Sequence, residues 1–249
     1  MTMRSCAIIP ARYASSRYPG KPLVLLLGKP MILWVAELAA EAVGIENVVV
    51  ATEDTRISEV VEAAGFRAVM TGSDALTGTD RLAEAVAQLP DYDIFVNVQG
   101  DEPLVDPADI RRCIHEKEQH PERIINGFCP IGSNEDPASP NIPKVIATEA
   151  GRMIYMSRSP LPGFKDPALA PRQYMKQVCI YGFSREELEA YRGFGRKSAI
   201  EKCEDIEILR FLELGRSIWM FETRGGSLAV DVPEDVPGVE AALRARAAA

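Results

Sequence analysis

The chain has 249 residues, of which 47% are apolar and 26% charged, and carries a net charge of −8. That balance suits one α/β domain, or one domain with a small appended subdomain, and argues against nucleic acid as a partner, though not against a nucleotide, which needs only a local cationic pocket. No apolar run approaches the ~18 residues of a membrane span, and the first residues lead into a strand without a signal peptide's apolar stretch, so the cytoplasm is the expected location.

Residues 6–9, Cys-Ala-Ile-Ile, read as a short buried strand. A polar loop follows directly, Pro10-Ala11-Arg12-Tyr13-Ala14-Ser15-Ser16-Arg17-Tyr18-Pro19-Gly20-Lys21-Pro22. Apolar residues at helical spacing (Met31, Ile32, Val35, Leu38, Ala39, Ala42) predict a helix over 30–43, with Pro30 at its first position and Gly44 as its stop. Residues 47–51 read as a strand, 54–64 as a helix capped by Asp54, 67–70 as a strand, 79–88 as a helix and 93–98 as a strand. The polar turn Gln99-Gly100-Asp101-Glu102-Pro103 comes next. Such alternation predicts a mostly parallel twisted sheet flanked by helices. Ligands bind beyond the carboxyl ends of such strands, so the loops 10–21 and 99–103 should share one edge.

Beyond residue 130 the pattern changes. Residues 133–143 read as loop, 144–148 and 152–156 as a strand pair turning at 149–151, and 160–171, with four prolines, as a long exposed loop that could close over a site. A strand over 177–183 leads to Ser184, which opens a helix with Glu187 three residues on, a capping box. A second helix is expected over 204–214, strands at 218–221 and 228–230, and a closing helix at 233–248.

Chemistry concentrates in three places. The loop 10–22 puts Arg12, Arg17 and Lys21 beside two serines and a glycine. Its N–H groups can cradle phosphate oxygens, the arginines can fork onto phosphate and Lys21 supplies a point charge. Asp101 follows an apolar strand, a position from which a carboxylate can hold magnesium, which takes one or two carboxylates and fills its other positions with water and phosphate. Asp231 precedes Pro233 and reads most simply as a helix N-cap. Gly28-Lys29 is followed by Pro30, so no Walker A loop is present, and the first strand–helix turn lacks the GxGxxG of dinucleotide enzymes. The five cysteines form no CxxC pair and read as reduced, mostly buried thiols. His115 and His120, the only histidines, lie in one polar helix-like stretch, which disfavours histidine triads.

Taken together, residues 8–12 through Lys21-Pro22, Thr77-Gly78-Thr79-Asp80-Arg81-Leu82, residues 97–103, Tyr155-Met156-Ser157-Arg158, Ile180-Tyr181-Gly182-Phe183, residues 204–210 and residues 230–235 resemble the 3-deoxy-manno-octulosonate (Kdo) cytidylyltransferases, in order and over nearly the whole chain. The resemblance implies a nucleotidyltransferase-type fold in a single unit spanning 1–249, with roughly 130–185 contributing a sugar-binding and dimerisation subdomain, and a cytosolic homodimer. It implies transfer of CMP from CTP to the anomeric hydroxyl of Kdo, releasing pyrophosphate, for lipopolysaccharide or capsule synthesis. Arg12, Ser15, Arg17, Lys21, Gly78, Arg81 and Gln99 would bind the nucleotide. Gln99, Arg158, Gln177, Tyr181 and Glu207 would hold the sugar acid. Asp101 and Asp231 would ligate Mg2+, and these two with Lys21 would form the catalytic set. The chain departs from the family pattern at Gln177, where His is usual, and at Ile208, where Gln is frequent; Thr77 replaces a common Ser and Asp80 a common Glu. Because Gln177 and Ile208 fall in the sugar-side segments, a modified Kdo such as an amino-Kdo, or another ulosonic or sialic-type acid, is the alternative substrate. An inactive nucleotide-binding sensor is the distant alternative, disfavoured by retention of both aspartates.

Overall fold

The computed structural model describes residues 3–14, 18–133 and 135–248. In chain order the elements are β1 (Ser5–Ala11), the hairpin strands β2 (Leu25–Leu26) and β3 (Lys29–Pro30), α1 (Met31–Val43), β4 (Val48–Thr52), α2 (Thr55–Ala63), β5 (Arg67–Met70), α3 (Gly78–Val86) and β6 (Ile94–Val98). They continue with α4 (Pro107–Gln119), β7 (Ile124–Pro130), β8 (Lys144–Ala147), β9 (Met153–Ser157), β10 (Met175–Ser184), α5 (Arg185–Gly193), α6 (Ala199–Glu204), α7 (Arg210–Glu213), β11 (Ile218–Glu222) and α8 (Val236–Ala247).

The central sheet runs β11-β7-β10-β6-β1-β4-β5. It is mostly parallel: β1 pairs with β4 and β6, β4 with β5, and β7 with β11 in that sense, while β10 enters antiparallel between β6 and β7. The β8–β9 pair is an antiparallel extension that meets β10 where Lys144 faces Lys176. The inner strands are apolar at nearly every position because both faces are covered. On one face Ile8, Phe95, Phe183 and Phe211 pack with α3 and α5; on the other Ile9, Val50 and Val96 pack with α1, α2 and α4.

Local chemistry explains the boundaries. Asp54 caps α2 by accepting the Arg56 N–H at 3.0 Å, and Thr77 caps α3 by accepting the Asp80 N–H at 3.1 Å. The capping box at Ser184 and Glu187 is complete in both directions. Pro30 is the residue before α1 rather than its first residue.

Two expected elements are different. The single helix over 204–214 is absent: α6 ends at Glu204, Asp205 takes the left-handed φ of 50°, Ile206 is extended, and a 3-10 turn at Glu207–Leu209 precedes α7. The break swings Glu207 toward the strand ends. Residues 228–230 form no strand; Val230 donates its single N–H to the Asp101 carbonyl at 2.9 Å, a contact that docks the segment without a ladder. The strand β7 and the short helix α6, with its Ser198–Glu201 capping box, are additional to the expected elements. The loop 160–171 is largely exposed, with Leu169 76% exposed.

Candidate active site

Strands β1 and β6 lie side by side and parallel, so the loops that leave their carboxyl ends open on the same edge. There a cleft of about 890 Å³ is lined from both halves of the chain. It gathers Arg12, Lys21, Gly78, Arg81, Gln99, Asp101, Arg158, Gln177, Tyr181, Glu207 and Asp231. Ser15 and Arg17, also expected in the site, lie outside the described residues. His115 and His120 are on α4 and its end, away from the cleft.

At the β1 end, the loop is drawn back on itself. Gly20 donates to the Tyr13 carbonyl at 2.9 Å, and its φ of 73° is the left-handed turn that sends Lys21 inward. A Cβ on Gly20 would come within 3.2 Å of the Tyr13 ring. Glu53 ties the same loop to α3: its carboxylate accepts the Tyr13 N–H at 2.9 Å and pairs with Arg81 at 2.9 Å. Arg81 also donates to Thr71 Oγ1 and to the Gly72 carbonyl, so its guanidinium is held firmly at the cleft wall.

The Lys21 ammonium stands 2.7 Å from Asp101 Oδ2 and 3.4 Å from Asp231 Oδ1. Asp231 is brought there by the Val230–Asp101 contact and by Asp235, whose carboxylate accepts the Asp231 and Val232 N–H groups at 2.7 and 3.0 Å. Asp235 thus does the local capping, and Asp231 turns its own carboxylate to Lys21, which overturns the N-cap reading of Asp231. Two carboxylates converging on one cationic atom are the donor set a hard divalent ion accepts. Glu102, beside them, is missing from the residues singled out above, although the motif that carries Asp101 contains it. Burial, and then the Asp101 charge, push its carboxyl up to about 7.

At the β10 end, a bulge breaks the register with β7 between Val178 and Tyr181. The buried Asn126 amide stabilises it by donating to the Val178 and Ile180 carbonyls at 2.9 and 3.0 Å. The bulge aims Cys179 and Tyr181 into the cleft. Gln177 donates to Tyr181 Oη at 3.2 Å and to Asn126 Oδ1 at 3.3 Å. Glu207 accepts the Thr79 N–H at 3.0 Å and a Gln99 amide N–H at 3.2 Å, and burial raises its pKa. A Cβ on Gly78 would crowd Gln99, Pro10 and Glu207 at 3.4–3.5 Å, so that glycine keeps the wall open between them.

Arg158 lines the cleft, but its guanidinium donates to the carbonyls of Glu204, Pro140 and Asp205, and its N–H to the Glu204 carboxylate at 2.8 Å. Part of its fork therefore braces α6 and the loop before β8. Ile208 does not line the cleft at all; it is 1% exposed in the core beside Phe211 and Leu209. Of Gln177 and Ile208, the two departures from the family pattern in the segments expected to meet the sugar, only Gln177 lines the cleft.

A mostly parallel sheet whose strand ends open on a cleft lined by Arg12, Lys21, paired carboxylates and a hydrogen-bonding cluster around Gln177 suits a nucleotidyltransferase. The sequence profile of the cytidylyltransferase family matches residues 6–218. The chain is 39% identical to a 3-deoxy-manno-octulosonate cytidylyltransferase of Acaryochloris marina, over 94% of this chain and 95% of that one, and 42% identical to the one of Syntrophotalea carbinolica, over 97% and 99%. A solved structure of CMP:2-keto-3-deoxy-manno-octonic acid synthetase, complexed with CTP, superposes with a TM-score of 0.89 at 36% identity, covering 98% of this chain and 99% of that one. The chain belongs to the 3-deoxy-manno-octulosonate cytidylyltransferases.

Proposed function

We propose that the protein transfers CMP from CTP to the anomeric hydroxyl of Kdo, giving CMP-Kdo and pyrophosphate. The observation that carries this reading is the convergence of Lys21, Asp101 and Asp231 at the middle of a cleft that has Arg12 at one end and Gln99, Gln177, Tyr181 and Glu207 at the other. Arg12, Arg17 and Lys21 hold the triphosphate, with Ser15, Gly78, Arg81 and Gln99 completing the nucleotide site. Gln99, Gln177, Tyr181 and Glu207 take the sugar's hydroxyls, and Arg158 faces its carboxylate.

The sugar oxygen forms a bond to the α-phosphorus as the bond from that phosphorus to the bridging oxygen of pyrophosphate breaks, and the hydroxyl proton is lost to solvent. Asp101 and Asp231 would hold Mg2+, which supplies charge neutralisation at the phosphates and acidifies the attacking hydroxyl. Arg12 and Lys21 stabilise charge gathering on the departing pyrophosphate. The side chains around Gln177 fix the sugar so that attack is in line.

The reading extends to a cytoplasmic homodimer serving lipopolysaccharide or capsule synthesis, with residues 130–185 supplying sugar contacts and the subunit interface; among the described residues no helix is long and apolar enough to cross a membrane. The test is direct. Protein, CTP, Kdo and Mg2+ are incubated and the products are read by mass spectrometry. A CMP-Kdo peak matched by pyrophosphate is the expected result; an intact CTP pool at high protein concentration would sink the proposal.

A further inference from the structure

The Lys21 ammonium contacts both of the carboxylates to which the proposed function gives Mg2+. It is within 2.7 Å of Asp101 and 3.4 Å of Asp231, and the side chain is only 15% exposed. Magnesium binds oxygen at ~2.0–2.1 Å and dehydrates reluctantly. An ammonium in contact with the same oxygens both fills that space and opposes a second cation through Coulomb repulsion.

The backbone under Lys21 is pinned. Gly20 donates to Tyr13, Lys21 accepts from Val24 and Val24 accepts from Met31 at 2.8–3.1 Å. The side chain, by contrast, is a flexible four-carbon stem with a rotatable head. It can leave the aspartates only if other acceptors are offered, and the β- and γ-phosphates of a nucleotide entering over the same loop are such acceptors.

We infer that Lys21 is a placeholder cation: in the nucleotide-free protein it holds Asp101 and Asp231 together and keeps divalent ions out, and the triphosphate draws it away so that metal enters only with the nucleotide. This rests on the placing of the metal and triphosphate given under the proposed function, and it makes Lys21 a positioning residue for the metal as well as a phosphate ligand. Metal affinity is therefore coupled to nucleotide occupancy through this side chain, in addition to the phosphates' own ligation of the metal. The reciprocal holds by linkage, so nucleotide and metal strengthen each other's binding.

The test reads binding, independent of turnover and of which sugar is used. Mn2+ is titrated into nucleotide-free protein and free aquo-Mn2+ is followed by electron paramagnetic resonance. Wild type, Lys21→Met, Lys21→Gln and the double variant Lys21→Met/Asp101→Asn are compared, with thermal melts to confirm folding. The expected result is a gain of tenfold or more in Mn2+ affinity for both neutral variants, abolished in the double variant. With the Mn2+ bound by the analogue alone subtracted, a non-hydrolysable CTP analogue should raise the Mn2+ affinity of wild type by a larger factor than it raises that of Lys21→Met. Neutral variants that bind no tighter than wild type, a gain that survives Asp101→Asn, or a wild type that binds Mn2+ equally with and without the analogue would each overturn the inference. A protein inactive on Kdo that still shows the coupling would leave this inference standing while the substrate reading falls.

Discussion

Replacing Arg210 with Met tests whether the Glu207 end of the cleft is held by buried charge. The Arg210 guanidinium is fully buried. It donates to both Glu201 oxygens at 2.8 and 2.7 Å and to both Asp80 oxygens at 2.7 and 2.9 Å, and it lies over the Tyr191 ring at 3.8 Å. Asp80 is in the first turn of α3 and Glu201 in the first turn of α6, so one side chain clamps the starts of both helices. Met fills similar space without charge and leaves two carboxylates with exposures of only 14% and 1% without their Arg210 partner. Removing one partner of such a buried network costs about 3–5 kcal/mol. That is a large share of the ~5–15 kcal/mol that holds a typical domain folded. Urea unfolding followed by circular dichroism at neutral pH measures it. Gly78 and Thr79 open the same helix and touch Glu207, so surviving variant should also show a raised KM for the sugar acid. A loss below about 1 kcal/mol would refute the reasoning, since a median exposed pair costs no more than that.

Three further outcomes are expected. Glu102 has a folded pKa raised from 4.5 to about 7; the native state then binds more protons than the unfolded chain between those values, so stability falls as pH rises through that window. In metal-free protein the slope integrates to about 3 kcal/mol, and Glu102→Gln should flatten it in urea titrations at pH 5 and 8; an unchanged slope would assign the pH dependence elsewhere. Asp101→Ala should abolish pyrophosphate release while leaving the melting temperature within a few degrees, and EDTA should stop the parent enzyme until Mg2+ is restored; release that persists in EDTA would exclude the metal from the reaction. Gln177→Ala, which removes a donor to Tyr181 and Asn126, should raise the KM for the sugar acid by about tenfold, the worth of one hydrogen bond in a buried site, with the KM for CTP unchanged; equal effects on both would remove Gln177 from sugar recognition.

The β1–β6 half of the fold was legible because its signals are local. Buried parallel strands are continuous apolar runs, and a cap such as Asp54 marks where a helix starts. The same locality placed Arg12, Lys21 and Asp101 on one edge, since parallel neighbours send their loops the same way. The break at Asp205 was not legible, because a left-handed Asp inside a helix-compatible stretch is settled by tertiary contacts: Glu204 answers Arg158, Ser157 and Tyr155, while Glu207 answers Thr79 and Gln99. Ile208 misled for the same reason. Its segment borders the cleft through Ile206 and Glu207, but a 3-10 turn puts neighbouring side chains on different sides, and Ile208 packs inward. By local pattern alone Asp231, two residues before Pro233, read as a cap; the family resemblance set it beside Asp101, and the docking of Val230 onto Asp101 shows how its carboxylate reaches Lys21. The bulge that turns Cys179 and Tyr181 inward needs Asn126, about fifty residues away in sequence, a pairing no local pattern announces.

The most direct test of the account is the rate of pyrophosphate release with CTP and Mg2+ across a small panel of sugar acids: Kdo, an amino-substituted Kdo and N-acetylneuraminate. Release with Kdo at a kcat/KM above that for the others, lost on chelation, is the predicted result. Release confined to another ulosonic acid would keep the chemistry and contradict the substrate, and no release with any of them would contradict the account itself.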